Sequence, residues 1–477
     1  MKKSALVVVD YGTSNVRASI LDAETGEVKY QHSQSSRILS PKPGYLELSV
    51  DDLWANCQKC VKEVFDLLAK DDTYHADVIS FSYFGDNLIL ADANDDPVHN
   101  LILCFDPRGS AEAMVMNDHF GNARLISTIG GAFSSGAIPA KIQWVRSNLP
   151  DVYKKAKHVM TNQQYTMKKL GFSRVSDLSM AGRMMALDID SGTWDTEIID
   201  YLGFSASAFG EIAPASAVIG EIDSFGGVKL PYKIPVTLGA HDCSCGLLGT
   251  GITSDMGDTI GNVAGTFDHY GYTDFTGTLK GSRSSGCLPG LIVKMSAVSN
   301  SGSLILWFMN TIHGSNEQDA YARFWKGSRL DGSNPINVNP RFFANQGSIS
   351  GLDLSVTQQD MFDAFIESVT FAAKGVLDRV RADRGQTVNK IRIGGGPSKS
   401  EDWNRHKSNV FGMRLERLKT REVSSTGAGA IGAYGIGRFS SIEDAMRAYA
   451  VVDDVYEPDM ELHGIYNAKY ETYMKRV

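Results

Sequence analysis

A chain of 477 residues is longer than one ordinary hydrophobic core, so about two to four domains and a cleft between them are expected. Its 43% hydrophobic and 21% charged residues are ordinary for a globular enzyme and exclude collagen-like or low-complexity architecture. A net charge of −8 without a basic cluster excludes a general nucleic-acid binder and leaves room for local phosphate sites.

The start, Met1-Lys2-Lys3, has the charge of a secretory leader, but the apolar run that follows ends at Asp10, so no signal peptide is expected. Residues 304–309 form the longest later apolar stretch, far short of the ~18 residues that span a bilayer. Six cysteines are too sparse for a disulfide scaffold, and a cytoplasmic protein with no membrane partner is expected.

Strands are predicted over residues 5–9, 16–21 and 28–33, then a helix over 50–69 and a strand over 78–81. In the helix, Cys57 and Cys60 share the apolar face, which reads as packing rather than zinc binding. Between the first two strands lies Asp10-Tyr11-Gly12-Thr13-Ser14-Asn15-Val16-Arg17. Gly12 permits close backbone approach, Thr13 and Ser14 offer donors, Asp10 can hold a magnesium-bound water, and Arg17 adds positive charge. An ordinary hairpin turn is the competing reading.

A helix-rich stretch follows over 106–202, with helices at 141–149, 151–157 and 163–170. After a turn at 231–235 the opening pattern restarts: residues 259–270 form a strand that enters the turn Gly265-Thr266 and leaves as a strand. A strand at 291–297, helices at 304–312 and 358–381, and a strand at 390–393 complete a second α/β half. Gly246, Gly249, Gly251 and Gly257 suit a hinge or a plain linker between lobes 1–250 and 251–477.

Four segments end strands with glycine: Asp10 to Arg17, Gly265-Thr266, Gly239-Ala240-His241-Asp242, and Gly394-Gly395-Gly396. With Pro43-Gly44-Tyr45-Leu46-Glu47, Lys141 before Trp144, Trp194-Asp195, Gly302-Ser303 before Trp307, and Trp403 before Phe411-Gly412, their order and spacing resemble the FGGY carbohydrate kinases. The resemblance implies an α/β chain of two actin-like, ribonuclease H-like ATPase lobes facing each other across a cleft. It further implies ATP and Mg²⁺ as cofactors and phosphorylation of a sugar or polyol hydroxyl. Asp242 falls at the family's catalytic-base position, although a helix cap or hinge acid is its structural alternative. Thr13, Arg17, Gly265 and Thr266 are implied near the phosphates, Gly395 and Gly396 near adenosine, and Asp10 near the metal.

On the acceptor side the resemblance implies Gly85, Asp86, Asp106 and Asp242. There the chain departs from the family: Asp86 stands where pentulose kinases carry His, Gly85 stands where glycerol kinases carry Arg, and Cys104 replaces a Trp before Asp106 and Arg108. Two carboxylates suit neighbouring hydroxyls, and losing Trp and His removes stacking area and a donor. A ketopentose such as D-xylulose is the first expectation; glycerol, a tetritol, another ketose, or a non-metabolic actin-like ATPase are the alternatives. Gly427-x-Gly429-x-x-Gly432 matches a dinucleotide fingerprint, but too little chain follows it for that domain. A homodimer is the default expectation for a soluble enzyme of this size.

Overall fold

The computed structural model describes residues 2–71, 73–265, 267–298, 300–342, 346–384 and 388–475. It divides into two compact units. One comprises Met1–Thr253, Thr273–Lys294 and Ser424–Tyr449; the other comprises Ser254–Tyr272, Met295–Val423 and Ala450–Val477. The first crossing falls three residues beyond the expected boundary at 250, while residues 273–294 and 424–449 depart from a single division. Helix Val423–Gly435 shows why. A Cβ on Gly427 would stand 1.8 Å from the Cys245 carbonyl oxygen, and one on Gly432 would stand 2.9 Å from Ser80 Cβ. The Gly-x-Gly-x-x-Gly run therefore has a packing reason against the first unit's own core.

In the first unit, β1 (Lys3–Tyr11), β2 (Asn15–Asp22) and β3 (Val28–Ser35) form an antiparallel meander. The chain crosses through α1 (Val50–Lys70) and returns as β4 (Tyr74–Tyr83), parallel to β1. Strand β1 is central and buried on both faces, hence its continuous run Leu6-Val7-Val8-Val9, whereas the edge strand β3 alternates half-buried and exposed positions. Ser49 caps α1 by accepting the Asp52 N–H at 3.1 Å. Its inner face, Leu53, Cys57, Cys60, Val61 and Val64 among others, lies in the core under the sheet. Each such large aliphatic side chain stabilises by about 1.5–3 kcal/mol.

The hairpin of β5 (Val218–Phe225) and β6 (Val228–Thr237) extends the sheet in the order β5-β6-β4-β1-β2-β3. The sequence reading of a turn at 231–235 is replaced here by strand. Pairing of β6 with β4 is confined to Val236 with Ile79, and a strand paired mainly on one side tolerates Pro231 and Pro235. Strand β7 (Ala240–His241) then joins β4 in parallel and passes directly into α2 (Asp242–Gly249). Gly246 and Gly249 are buried within α2 and act in packing rather than as hinges.

In the second unit, β8 (Thr259–Ala264) pairs antiparallel with β9 (Asp268–Asp274). After α3 (Gln358–Arg384), β10 (Lys390–Gly395) lies parallel to β8. Beyond α4 (Glu401–Phe411), β11 (Arg414–Leu418) and the antiparallel β12 (Val452–Tyr456) continue the sheet. Each unit thus sets a hairpin turn beside the carboxyl end of a parallel strand.

Candidate active site

Three parallel strands of the first unit end level with one another. Asp10 on β1 is in register with Ser82 on β4, and Ser82 with Ala240 on β7. One to four residues further on, the chain presents Gly12 and Thr13, then Gly85 and Asp86, then His241 and Asp242. Ligands of parallel α/β sheets bind beyond these strand ends, where amides and side chains are no longer used by the ladder. Gly12 donates its N–H to the Asn15 carbonyl at 2.9 Å, closing the turn. Arg17 sits opposite Asp10 across the hairpin, with Nη1 3.8 Å from Oδ2.

Asp242 opens α2, and His241 is its cap residue. The carboxylate Oδ1 accepts the Cys243 N–H at 2.6 Å and lies 3.1 Å from His241 Nε2. The Cys243 thiol also bonds to this carboxylate. Burial pushes Asp242 up to about 7, and the negative charge of Asp10 adds to the rise. A carboxylate poised near neutrality accepts a proton more effectively than an ordinary aspartate. Behind it, Ser179 Oγ accepts the His241 N–H at 2.9 Å and donates to buried Asp177 at 2.5 Å. Burial likewise pushes Asp177 up to about 7.

Asp86 adopts φ 56°, a left-handed conformation costly for residues other than glycine and better tolerated by Asp. It is fixed from two sides. Arg183, at the end of the short helix Leu178–Arg183, forms a bidentate pair with its carboxylate, one bond being Nε to Oδ1 at 2.9 Å. Lys141 Nζ donates to its main-chain oxygen at 3.0 Å. Burial lowers Lys141 to about 8, which weakens its hold on a proton, whereas the Asp86 carboxylate raises Arg183. Gly85 makes this arrangement sterically possible. A Cβ there would meet His241 Nε2 at 2.5 Å and Arg183 Cγ at 3.1 Å. Arg183, His241 and Lys141 are absent from the sequence-predicted acceptor site.

Asp106 occupies a different environment. Its carboxylate is wholly buried and accepts from Leu46 N at 2.6 Å, Arg108 N at 3.0 Å, Arg108 Nε at 2.8 Å and Arg108 Nη2 at 2.7 Å. Arg108 in turn holds Glu47 at 2.8 Å and lies over the rings of Tyr45 and Trp144. This geometry makes Asp106 the brace of its loop. Asp86 is the more accessible of the two acids, with 20% of its side-chain surface exposed against none for Asp106.

In the second unit, Ala264 on β8 is in register with Gly395 on β10, so Gly265 and Gly396 follow side by side at the strand ends. Gly395 has φ 104°, and a Cβ on it would fall 1.9 Å from the Ala264 carbonyl oxygen. A Cβ on Gly394 would fall 2.1 Å from Val423 Cγ1. Two of the three consecutive glycines therefore answer to the fold's own packing. The third, Gly396, faces open space, since a Cβ added to it would meet nothing within 4 Å. Thr266 lies outside the described residues. The adjoining hairpin is anchored by a buried pair, Lys407 Nζ to Asp268 Oδ2 at 2.8 Å.

Residues 5–249 match the N-terminal domain, and residues 272–436 the C-terminal domain, of the FGGY family of carbohydrate kinases. The chain is 24% identical over 490 residues to the xylulose kinase of Staphylococcus epidermidis, covering 99% of this chain and 96% of that protein. It is also 24% identical over 492 residues to the glycerol kinase of Chloroflexus aggregans, covering 95% and 94%. The solved structure of ligand-bound xylulose kinase from Lactobacillus acidophilus is similar with a TM-score of 0.86 at 20% identity, covering 99% of this chain and 97% of that one. With both domains matched in order, the chain belongs to the FGGY family of carbohydrate kinases, ATP-dependent phosphotransferases built on the two-lobed actin-like fold.

Proposed function

We propose that this kinase phosphorylates a small polyhydroxy acceptor of the ketopentose class, D-xylulose first, with Asp242 as general base. The observation that carries the reading is Asp242 itself: a carboxylate raised to about 7, at a strand end level with Asp86 and its bidentate Arg183. The acceptor hydroxyl gives its proton to the Asp242 carboxylate as its oxygen bonds to the γ-phosphorus, and ADP leaves with the electrons of the broken P–O bond. Asp86 accepts from neighbouring hydroxyls while Arg183 donates, and Lys141 holds the Asp86 main chain in place. Thr13, Arg17, Gly265 and Thr266 serve the phosphates, and Gly395 and Gly396 the adenosine.

Asp10 suits magnesium. Its carboxylate is near enough to Asp242 to raise that residue's proton affinity, and a hard dication with retained waters favours such an acidic environment. When bound with the nucleotide, magnesium supplies charge neutralisation at the phosphates. Asp10 would hold it through a water.

The Asp86–Arg183 pair also favours a second reading, a shorter polyol such as glycerol or a tetritol, because charged donors and acceptors read hydroxyls without requiring a keto group. An ATP-consumption screen over pentuloses, hexuloses, glycerol, tetritols and aldonates decides between them. The highest kcat/KM is expected with D-xylulose. A preference for glycerol or a tetritol overturns the pentulose assignment, and turnover with none of the panel overturns the polyol reading.

Work in the cytoplasm, where ATP is supplied, is consistent with six cysteines all present as free thiols. Among the described residues, no helix is long and apolar enough to cross a membrane.

A further inference from the structure

Asp242, the proposed base, is flanked in sequence by an imidazole and a thiol. A ring nitrogen of His241, an Asp242 carboxylate oxygen and Cys243 Sγ all lie within 4.8 Å of one another, and His241 Nε2 is 3.1 Å from Asp242 Oδ1. Their convergence is a product of the local fold. His241 ends an extended strand while Asp242 and Cys243 begin a helix, so three consecutive side chains turn to one side rather than alternating. The His241 main chain is fixed by its N–H bond to Ser179 Oγ, and the missing Cβ at Gly85 leaves room for Nε2.

We propose that His241, Asp242 and Cys243 form a binding site for a borderline-soft divalent cation of the zinc class, and that occupancy switches the kinase off. The inhibitory part rests on Asp242 being the base.

Four-coordinate zinc takes imidazole nitrogen at about 2.0–2.1 Å, carboxylate oxygen at about 2.0–2.2 Å and thiolate at about 2.3 Å, which places donors roughly 3.3–3.8 Å apart. The His241–Asp242 separation of 3.1 Å is already close to this, and small side-chain rotations bring in the sulfur. On binding, the metal–sulfur bond replaces S–H, and the thiol proton passes to solvent. The cation accepts lone pairs from Nε2 and the carboxylate, with no change of oxidation state. The Asp10 carboxylate nearby adds favourable charge. Burial raises the Cys243 thiol, the Arg183 guanidinium offsets part of that rise, and an arriving dication supplies the charge that releases the proton. Magnesium does not compete for this donor set, because it avoids thiolate and demands six hard ligands. A zinc ion on Asp242 engages the carboxylate that must accept the acceptor's proton, so transfer stops while magnesium chemistry at Asp10 is untouched.

The test is a titration of the metal-free full-length protein with Co²⁺, followed by its thiolate charge-transfer and ligand-field absorption, with Zn²⁺ as competitor. At pH 8, where Asp242 is ionised and only the thiol proton has to leave, one four-coordinate site, about one proton released per metal and displacement by zinc are expected. Cys243→Ser should abolish the charge-transfer band, and His241→Gln should weaken zinc binding by about 10- to 100-fold, both with thermal transitions kept. Absence of the band in wild type, or its persistence in Cys243→Ser, overturns the site. In the kinase assay, zinc should inhibit wild type reversibly to chelator, with Cys243→Ser at least about tenfold less sensitive. Binding by absorption without inhibition overturns the switch, whereas binding with no kinase activity toward any acceptor overturns the functional reading and leaves the metal site standing.

Discussion

Replacing Asp242 by Asn separates chemistry from stability in one variant. Asn keeps shape but cannot accept the proton, so kcat should fall by about 10²–10⁴ while nucleotide affinity holds. Stability should move in the opposite direction. The folded protein holds the Asp242 proton up to about pH 7, whereas an unfolded aspartate releases it near 3.8. Wild type therefore has a stabilising contribution below pH 3.8 that is lost as pH rises through about 7. The difference corresponds to a ceiling of about 4 kcal/mol. The side chain keeps 32% of its surface, so solvent screening reduces the effect to about 1–2 kcal/mol. Asn does not titrate and escapes the loss. Between pH 5 and 8 the stability of Asp242→Asn relative to wild type should rise by about 1 kcal/mol, read as urea midpoints of the first unfolding transition. A pH-independent difference, or a wild type that gains on the variant as pH rises, refutes the claim that burial holds this carboxylate protonated. Transfer retained in the variant refutes its role as base.

The activity profile provides a second check: kcat/KM should fall on the acid side with a limb near pH 7, and Asp10→Asn should move that limb downward because one source of the raised proton affinity is removed. An unmoved limb separates Asp10 from the base. Gly85→Ala should push the His241 ring aside, since the new Cβ meets Nε2 at 2.5 Å, and lower kcat by about 10- to 100-fold; wild-type rates would mean that the ring's position is immaterial. Asp86→Ala should raise the acceptor KM more than the ATP KM, and equal loss of both points to misfolding. Adding Arg183→Ala should cost little more, because the bidentate pair acts as one unit, and strict additivity in that cycle contradicts the pairing.

Much of the fold was legible because its strands are the buried kind. The run before Asp10, the helix carrying Cys57 and Cys60 and the strand before Gly394 are apolar on the faces that pack, and their positions agree with the structure to within a few residues at each end. The hairpin of β5 and β6 was hidden by chemistry that normally signals a turn, because Pro231 and Pro235 break a central strand but not one paired mainly on one side. The segment exchange between units was hidden for another reason. Glycines 427, 429 and 432 announce close packing, but the sequence does not name the surface they meet, and that surface is made of Cys245, Leu21 and Ser80, between about 180 and 410 residues earlier in the chain.

The candidate site divides along the same line. Residues placed by the local run of the backbone, Asp10 near the end of β1 and Asp242 directly after β7, follow from local pattern. Those placed by reaching a distant partner do not. Arg183 pairs with a carboxylate 97 residues earlier, from a six-residue helix whose other members give it no charge pattern. Asp106 carries the same functional group as Asp86, yet its four donors come from Leu46 and Arg108 and bury it. A signal for the missing residues did exist in Gly85. A glycine directly before an acid at a strand end, with φ outside the left-handed region, is there for space rather than for flexibility, and the space is filled by His241 and Arg183. The bare backbone at position 85 and the guanidinium reaching it from position 183 are thus two sides of one steric arrangement: the missing side chain leaves the room that the distant one occupies.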